Sequence, residues 1–203
     1  MQMIERIHHL CERTIFKCII NTQCIFRLFL RFLTVSYLTV VISNSTVMAM
    51  TDSREKIKLN ENVARVVSGI ISYTHWPAAH TVLRLCLVPP SNYISTLTNL
   101  NMISDHTELQ IETLNFNVEQ LIEKCDVIYY GQIAPSLQHR VIRKKNSKPL
   151  LTIAENNVQC EIGSAFCLNI NSTQATFSLN LDILTRSGVR VNPNVLQLAR
   201  KVE

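Results

Sequence analysis

The sequence predicts an α/β fold: one domain with a mixed β-sheet flanked by helices and stapled by disulfides, after an N-terminal signal or anchor segment. Three observations predict it. Short apolar, β-branched runs alternate with short helical patterns along most of the chain, which is the order of an α/β sheet. The last two runs, "AFCLNIN" and "QATFSLNLD", read as an antiparallel pair and make that sheet mixed. An export-type leader precedes four cysteines, an even number that an oxidising compartment pairs.

The leader occupies residues 1–49. Arg27 and Arg31 flank the start of an apolar stretch from Phe32 to Ile42, followed by "SNST" and then by Val47, Met48 and Ala49. This is the positive, apolar and small-residue order of a secretory signal, with cleavage expected after Ala49 and a mature domain over 50–203. Roughly 20 apolar residues are needed to span a bilayer, more than this run supplies. A long segment with Cys11, Cys18 and Cys24 precedes it, which an ordinary signal lacks. Either the true start lies downstream of Met1, or the stretch Ile19–Ile42 is an uncleaved anchor with its basic end in the cytoplasm.

The mature part begins with the polar lead-in "MTDSREKIKL". From Asn60, Val63, Val66, Val67, Ile70 and Ile71 recur at helical spacing and present one apolar face, until Pro77 disfavours helix at Trp76. "TVLRLCLV" is a buried strand bounded by Pro89 and Pro90. A helix over Ser91–Leu100 follows, then the half-buried strand "TELQIETL". "NVEQLIEK" is a short helix capped by Asn117. "CDVIYYG" is a strand, "APSLQHRVIRKK" a helix starting after Pro135, and "KPLLTIAE" a strand. After the hairpin, "NPNVLQLARKV" closes the chain as a helix with Pro193 in its first turn.

Composition narrows the function classes. Hydrophobic residues make up 47% and charged ones 17%, which suits a globular chain rather than a disordered one. The formal charge is +5, but five of the 20 basic residues and two of the 15 acidic ones lie ahead of the main apolar run. The rest is close to neutral, which argues against nucleic acid as a partner. With four glycines in all, a phosphate-cradling loop has little to work with. His75, His80, His106 and His139 show no ligand spacing, and Ser164 in "IGSAF" lacks the second glycine of a nucleophile elbow. "RKKNSK" is a basic helix end, where cations complement the dipole. Trp76 reads as a core aromatic closing the first helix, with a pocket wall or partner anchor as its functional alternative. No catalytic constellation, cofactor or metal site is expected.

The cysteines of the mature part are Cys86, Cys125, Cys160 and Cys167. Cys160 and Cys167 leave three readings open: a structural disulfide, a redox pair and a metal site. Six intervening residues do not make the C-x-x-C of a redox-active helix start, and no second metal-type pair accompanies them. Gly163 lets the short loop reverse, so the two sulfurs can meet. Closing it is worth roughly 2.5 kcal/mol by chain entropy, against about 4 kcal/mol for a Cys86–Cys125 closure.

"VVSGIISYTHWP", "LRLCLV", "CDVIYYG", "LLTIAE", "CEIGSAFCLNIN" and "FSLNLDILTRSGVRVNPNVLQLAR" together resemble the YfiR family of periplasmic regulators, in order from about Asn62 to Lys201. It closely resembles the enterobacterial branch, including the Yersinia type that restrains biofilm formation. The resemblance implies an α/β sandwich in the periplasm, often a homodimer. It implies binding to the periplasmic sensor region of an inner-membrane diguanylate cyclase of the YfiN type, which keeps cyclic di-GMP low. An outer-membrane OmpA-like lipoprotein of the YfiB type is implied as the antagonist. Cys160 and Cys167 match the family's adjacent cysteine pair, and Cys86 and Cys125 its long-range pair, whose oxidation is linked to stability. Phe166 beside the adjacent pair, with Leu184, Arg186 and Val189 in the mixed apolar and Arg-bearing tail, is the expected partner surface. Two other classes stay in view: a periplasmic thiol-disulfide oxidoreductase using Cys160 and Cys167, and a small-molecule sensor module.

Overall fold

Residues 53–72 form the first helix, α1, and its apolar stripe goes where the spacing puts it: Val63, Val66, Val67 and Ile70 are wholly buried. Burying such a side chain is worth about 2 kcal/mol, so this stripe is what docks the helix. The computed structural model describes residues 53–199, except 79, 80, 101, 102, 105, 106, 156 and 158. The leader, with its cysteines, apolar run and expected cleavage after Ala49, lies outside the described residues, as do His80 and His106. Among the described residues no helix is long and apolar enough to cross a membrane.

The chain continues through β1 (Thr74–His75), β2 (Val82–Val88), α2 (Ile94–Leu97), β3 (Ile103–Ser104), β4 (Thr107–Thr113), α3 (Val118–Lys124), β5 (Val127–Tyr130), α4 (Pro135–Lys144) and β6 (Leu151–Glu155). It ends with β7 (Phe166–Ile170), β8 (Ala175–Leu179), α5 (Leu181–Ser187), β9 (Arg190–Val191) and a 3-10 helix over Pro193–Ala199. Seven strands form one sheet in the order β3-β4-β2-β5-β6-β7-β8. The five inner strands run parallel, while β3 and β8 pair antiparallel at the edges, so the sheet is mixed as the terminal hairpin predicts. β1 and β9 make a separate antiparallel pair that ties the end of α1 to the tail.

The chain enters the sheet at β2, goes outward to β4, and returns to β5 on the other side of β2. Strand order therefore reverses between β2 and β5. Side chains alternate across these strands and feed two cores. Leu85, Leu87, Val127, Tyr129, Leu151 and Ile153 pack with α1 on one face. Cys86, Val88, Ile128, Tyr130 and Ala154 pack with Val118 and Leu121 of α3 and Val141 of α4 on the other.

Several elements differ from expectation. Helix begins by residue 53, so most of the polar lead-in is helical; its side chains are exposed, which a helix's outer face tolerates. The Ser91–Leu100 segment holds only one helical turn, since Tyr93 at its start supplies no capping hydrogen bond and β-branched residues follow. The closing helix is 3-10 rather than α. Helix α5 begins at Leu181 and Asp182, which the expected strand "QATFSLNLD" included; the rest of it and the β1–β9 pair come from stretches with no element assigned. Asn117 does cap α3, accepting from the Gln120 amide at 2.9 Å. The basic end of α4 is taken up by the fold: Lys144 pairs with Glu119, Lys145 reaches the carbonyls of Asn146 and Lys148, and Lys148 reaches those of Ile122 and Glu123. Trp76 is half-buried and packs against the α1 core.

Candidate functional site

Between β6 and β7 the chain makes the loop that carries Cys160. Two residues give it its shape. Cys160 adopts φ 49, a left-handed conformation that costs a non-glycine residue about 1 kcal/mol, and Gly163 adopts φ 99. Gly163 also runs so close to the start of α4 that a Cβ there would collide with the Pro135 carbonyl and the Gln138 amide, so only glycine fits.

Cys160 and Cys167 form a disulfide across this loop, with Cα atoms 5.7 Å apart. Cys86 and Cys125 form the second, between β2 and the end of α3, with Cα atoms 5.8 Å apart. Of the three readings of the adjacent pair, the bonded sulfurs support the staple and leave no thiolate to ligate a metal. Cys167 is fully buried and Cys160 nearly so.

Polar contacts knit the loop to three elements. Ser164 Oγ donates to Gln138 Oε1 at 2.8 Å on α4, where Gln138 is itself wholly buried. The Ala165 amide donates to Thr152 Oγ1 on β6 at 3.0 Å. Asn180 makes the third link. Its Nδ2 donates to the carbonyls of Cys160 at 2.7 Å and Glu161 at 2.8 Å, while its Oδ1 caps α5 by accepting from the Ile183 amide at 2.9 Å. One side chain thus joins the disulfide loop to the first turn of α5. Sequence reasoning missed Asn180, although an Asn ahead of an apolar pattern that ends at Gly188 is a helix start and stop signal.

The four expected partner residues separate. Phe166 is wholly buried, its ring meeting Phe177 edge-on at 5.3 Å between centroids, so its placement on a partner surface is corrected: it is core. On β7, residues of both faces are buried, and alternation alone cannot say which face is outside. Val189 is also corrected to the core, being only 7% exposed. Leu184 is half-buried against the α1 core, and Arg186 is exposed, paired with Asp182 at 3.1 Å. The large apolar side chains that do reach solvent here are Leu181, 68% exposed at the start of α5, and Ile162, 46% exposed at the tip of the disulfide loop. Among the described residues no cluster of His, Cys, Asp and Glu could hold a metal ion.

Comparison with known proteins gives two findings. A family model described as YfiR/HmsC-like matches residues 60–200, more than half of the chain. Among solved structures, substrate-bound BacF from Bacillus subtilis is similar with a TM-score of 0.37 and 10% identity, over 64% of this chain and 41% of that one. The chain thus spans less than half of BacF, and a likeness of this size carries no argument.

Proposed function

This chain belongs to the YfiR/HmsC-like family, regulators in cyclic di-GMP signalling, and from that premise we propose that it works as an inhibitory binding protein. It acts in the periplasm, as a homodimer, on the periplasmic sensor region of an inner-membrane diguanylate cyclase of the YfiN type. Holding that region keeps the cyclase idle, lowers cyclic di-GMP and restrains biofilm. An outer-membrane OmpA-like lipoprotein of the YfiB type competes for the protein and releases the cyclase.

The observation that carries this reading is the Asn180 link between a disulfide loop and a short exposed helix. Arg186 supplies a guanidinium, a group enriched at interface hot spots, Leu181 and Ile162 supply exposed apolar area beside it, and the Cys160–Cys167 bond fixes the loop on which Ile162 stands. Partner recognition on this surface is therefore coupled to the oxidation state of the loop. The thiol-disulfide oxidoreductase reading is weaker, because Cys167 is wholly buried and Cys160 only 7% exposed, which slows attack by an incoming thiolate.

Deleting the gene in cells with and without the cognate cyclase, and measuring cyclic di-GMP, tests the regulatory role: a rise is expected only when the cyclase is present. Titration of the purified sensor region with Leu181→Ala and Arg186→Ala tests the surface, with affinity expected to fall at least tenfold. Unchanged repression by folded double variant protein excludes this surface.

A further inference from the structure

The connection that follows β2 leaves the sheet at the carboxyl ends of the parallel strands, and its first residues are pinned. The Gly131 amide donates to the Val88 carbonyl at 2.9 Å, and the Gln132 amide to the Pro90 carbonyl at 2.8 Å. Past Pro90 the ties become few. Residues 91–100 hold only the single turn α2, and Leu97 is the one side chain among them that is fully buried. Tyr93, Ile94 and Leu100 lie half-buried against the α1 core. Among the described residues, the backbone hydrogen bonds of this stretch stay within it, running from Thr96 and Leu97 to Tyr93, from Thr98 to Ile94, and onward to Leu100. Its polar tie to the sheet is Ser91.

The Ser91 hydroxyl is hydrogen-bonded to Tyr129 of β5 and to Glu155, the last residue of β6, and these two are bonded to each other. Ser91 Oγ also accepts from the Tyr93 amide at 3.0 Å, which leaves its one proton for the network. Glu155 is only 5% exposed and Tyr129 not at all. The other elements packed here bring no charge. β7 sets Leu168 beside Glu155, α1 turns its valine stripe to this face, and the connection adds the Tyr93 phenol. The ion pairs among the described residues are Arg84–Asp126, Lys144–Glu119 and Arg186–Asp182, so no cation balances Glu155. A carboxylate buried among neutral groups is costly, whereas a protonated carboxyl is not. Burial accordingly pushes Glu155 up to about 7, with Ser91 and Tyr129 opposing.

We propose that the Ser91–Tyr129–Glu155 network is a latch, which holds the connection after β2 on the sheet while Glu155 is protonated and frees it when the proton leaves for solvent. The buried carboxylate gains hydration only if a neighbour moves away, and the two chain segments beside it differ in how firmly they are held. The loop after Glu155 is fastened by the Cys160–Cys167 bond and by the contacts of Asn180, Ser164 and Ala165. The stretch 91–100 has no such fastenings, so it is the one that yields. Opening uncovers Leu97 and Tyr93. In the open form Glu155 regains an ordinary carboxyl pKa, so opening becomes more favourable as pH rises from about 4.5 to about 7. The latch does not involve the Leu181–Arg186 surface and its test uses no cyclase, so either reading can fail without the other.

The test is native-state amide hydrogen exchange at pH 5 and pH 8, with and without low urea. Rates are read as protection factors, which remove the intrinsic pH dependence of exchange. The Leu97 and Thr98 amides report the latch, because a single helical turn does not persist once detached. Their protection is expected to fall at least tenfold from pH 5 to pH 8, with the weak urea dependence of a local opening. In Glu155→Gln it should be the same at both pH values. Ser91→Ala, at a half-buried position, should lower protection already at pH 5 and serves if the Glu155 variant fails to fold. In the parent, the Glu155 carboxyl carbon, followed by NMR, should titrate near pH 7. Titration below pH 5, equal protection at both pH values, or a fall confined to strongly urea-dependent exchange overturns the proposal. So does a retained pH dependence in folded Glu155→Gln, or parent-like protection at pH 5 in Ser91→Ala.

Discussion

The Asn180 side-chain amide donates to the Cys160 carbonyl at 2.7 Å while the same side chain caps the helix that begins at Leu181. Redox state and helix geometry meet at this one residue. Asn180→Ala removes three hydrogen bonds and is expected to cost about 2–3 kcal/mol in denaturant unfolding. Asn180→Asp keeps the cap acceptor but points a carboxylate at two carbonyl oxygens, so here it should destabilise, although Asp normally caps as well as Asn. Equal stability of the Asp variant and the parent would contradict the role assigned to Nδ2.

The two disulfides should differ in worth. Their closed loops span sequence separations of 39 and 7, so chain entropy assigns about 4 kcal/mol to Cys86–Cys125 and about 2.4 kcal/mol to Cys160–Cys167. Paired Cys→Ala variants, compared by urea unfolding, check that order. Removing the Cys160–Cys167 bond should also speed amide exchange in α5, and removing the other should not.

Phe166 and Arg186 should fail in different ways. Phe166→Ala opens a cavity in the α1 core and is expected to cost about 3–4 kcal/mol, so any loss of partner binding follows loss of fold. Arg186→Ala removes an exposed pair with Asp182 worth about 0.3–0.5 kcal/mol, leaving thermal stability nearly unchanged while partner affinity drops. Thermal melts run alongside binding titrations separate the two.

Glu155 gives the fold a pH dependence of unusual sign. Its folded pKa of about 7 lies above the unfolded value near 4.5, because burial favours the neutral form. The folded state therefore holds the extra proton between these values. The associated stability is complete below about pH 4.5 and is lost as pH rises through about 7. The difference in melting temperature between the parent and Glu155→Gln should shift in the variant's favour across this window and level off by about pH 8. A difference independent of pH rules out this titration.

What the sequence revealed depended on how many signals agreed at each place. "TVLRLCLV" is apolar, branched and bounded by two prolines, and β2 occupies Val82–Val88 of it. Asn117 has a helix pattern directly behind it and caps that helix in the structure. The stretch from Leu181 to Ser187 is too short for periodicity to stand out, so α5 stayed hidden behind its composition. Phe166 was misplaced because β7 is covered on both faces, where period-2 alternation no longer separates inside from outside. Ser91, Tyr129 of β5 and Glu155 of β6 interact in the fold, and no local sequence pattern brings these three together.

Both covalent bridges lie in the middle of the chain, and neither reaches α1 or the β1–β9 pair. Under tension from the two ends, the outer segments carry the load first and can be drawn out to full extension. The bridged loops stay closed, and together they withhold about 150 Å of contour length at roughly 3.4 Å per residue. Pulled as a single molecule, the protein would report its oxidation state as a length: short when both bridges are closed, longer by a small step when Cys160–Cys167 opens, and by a much larger one when Cys86–Cys125 follows.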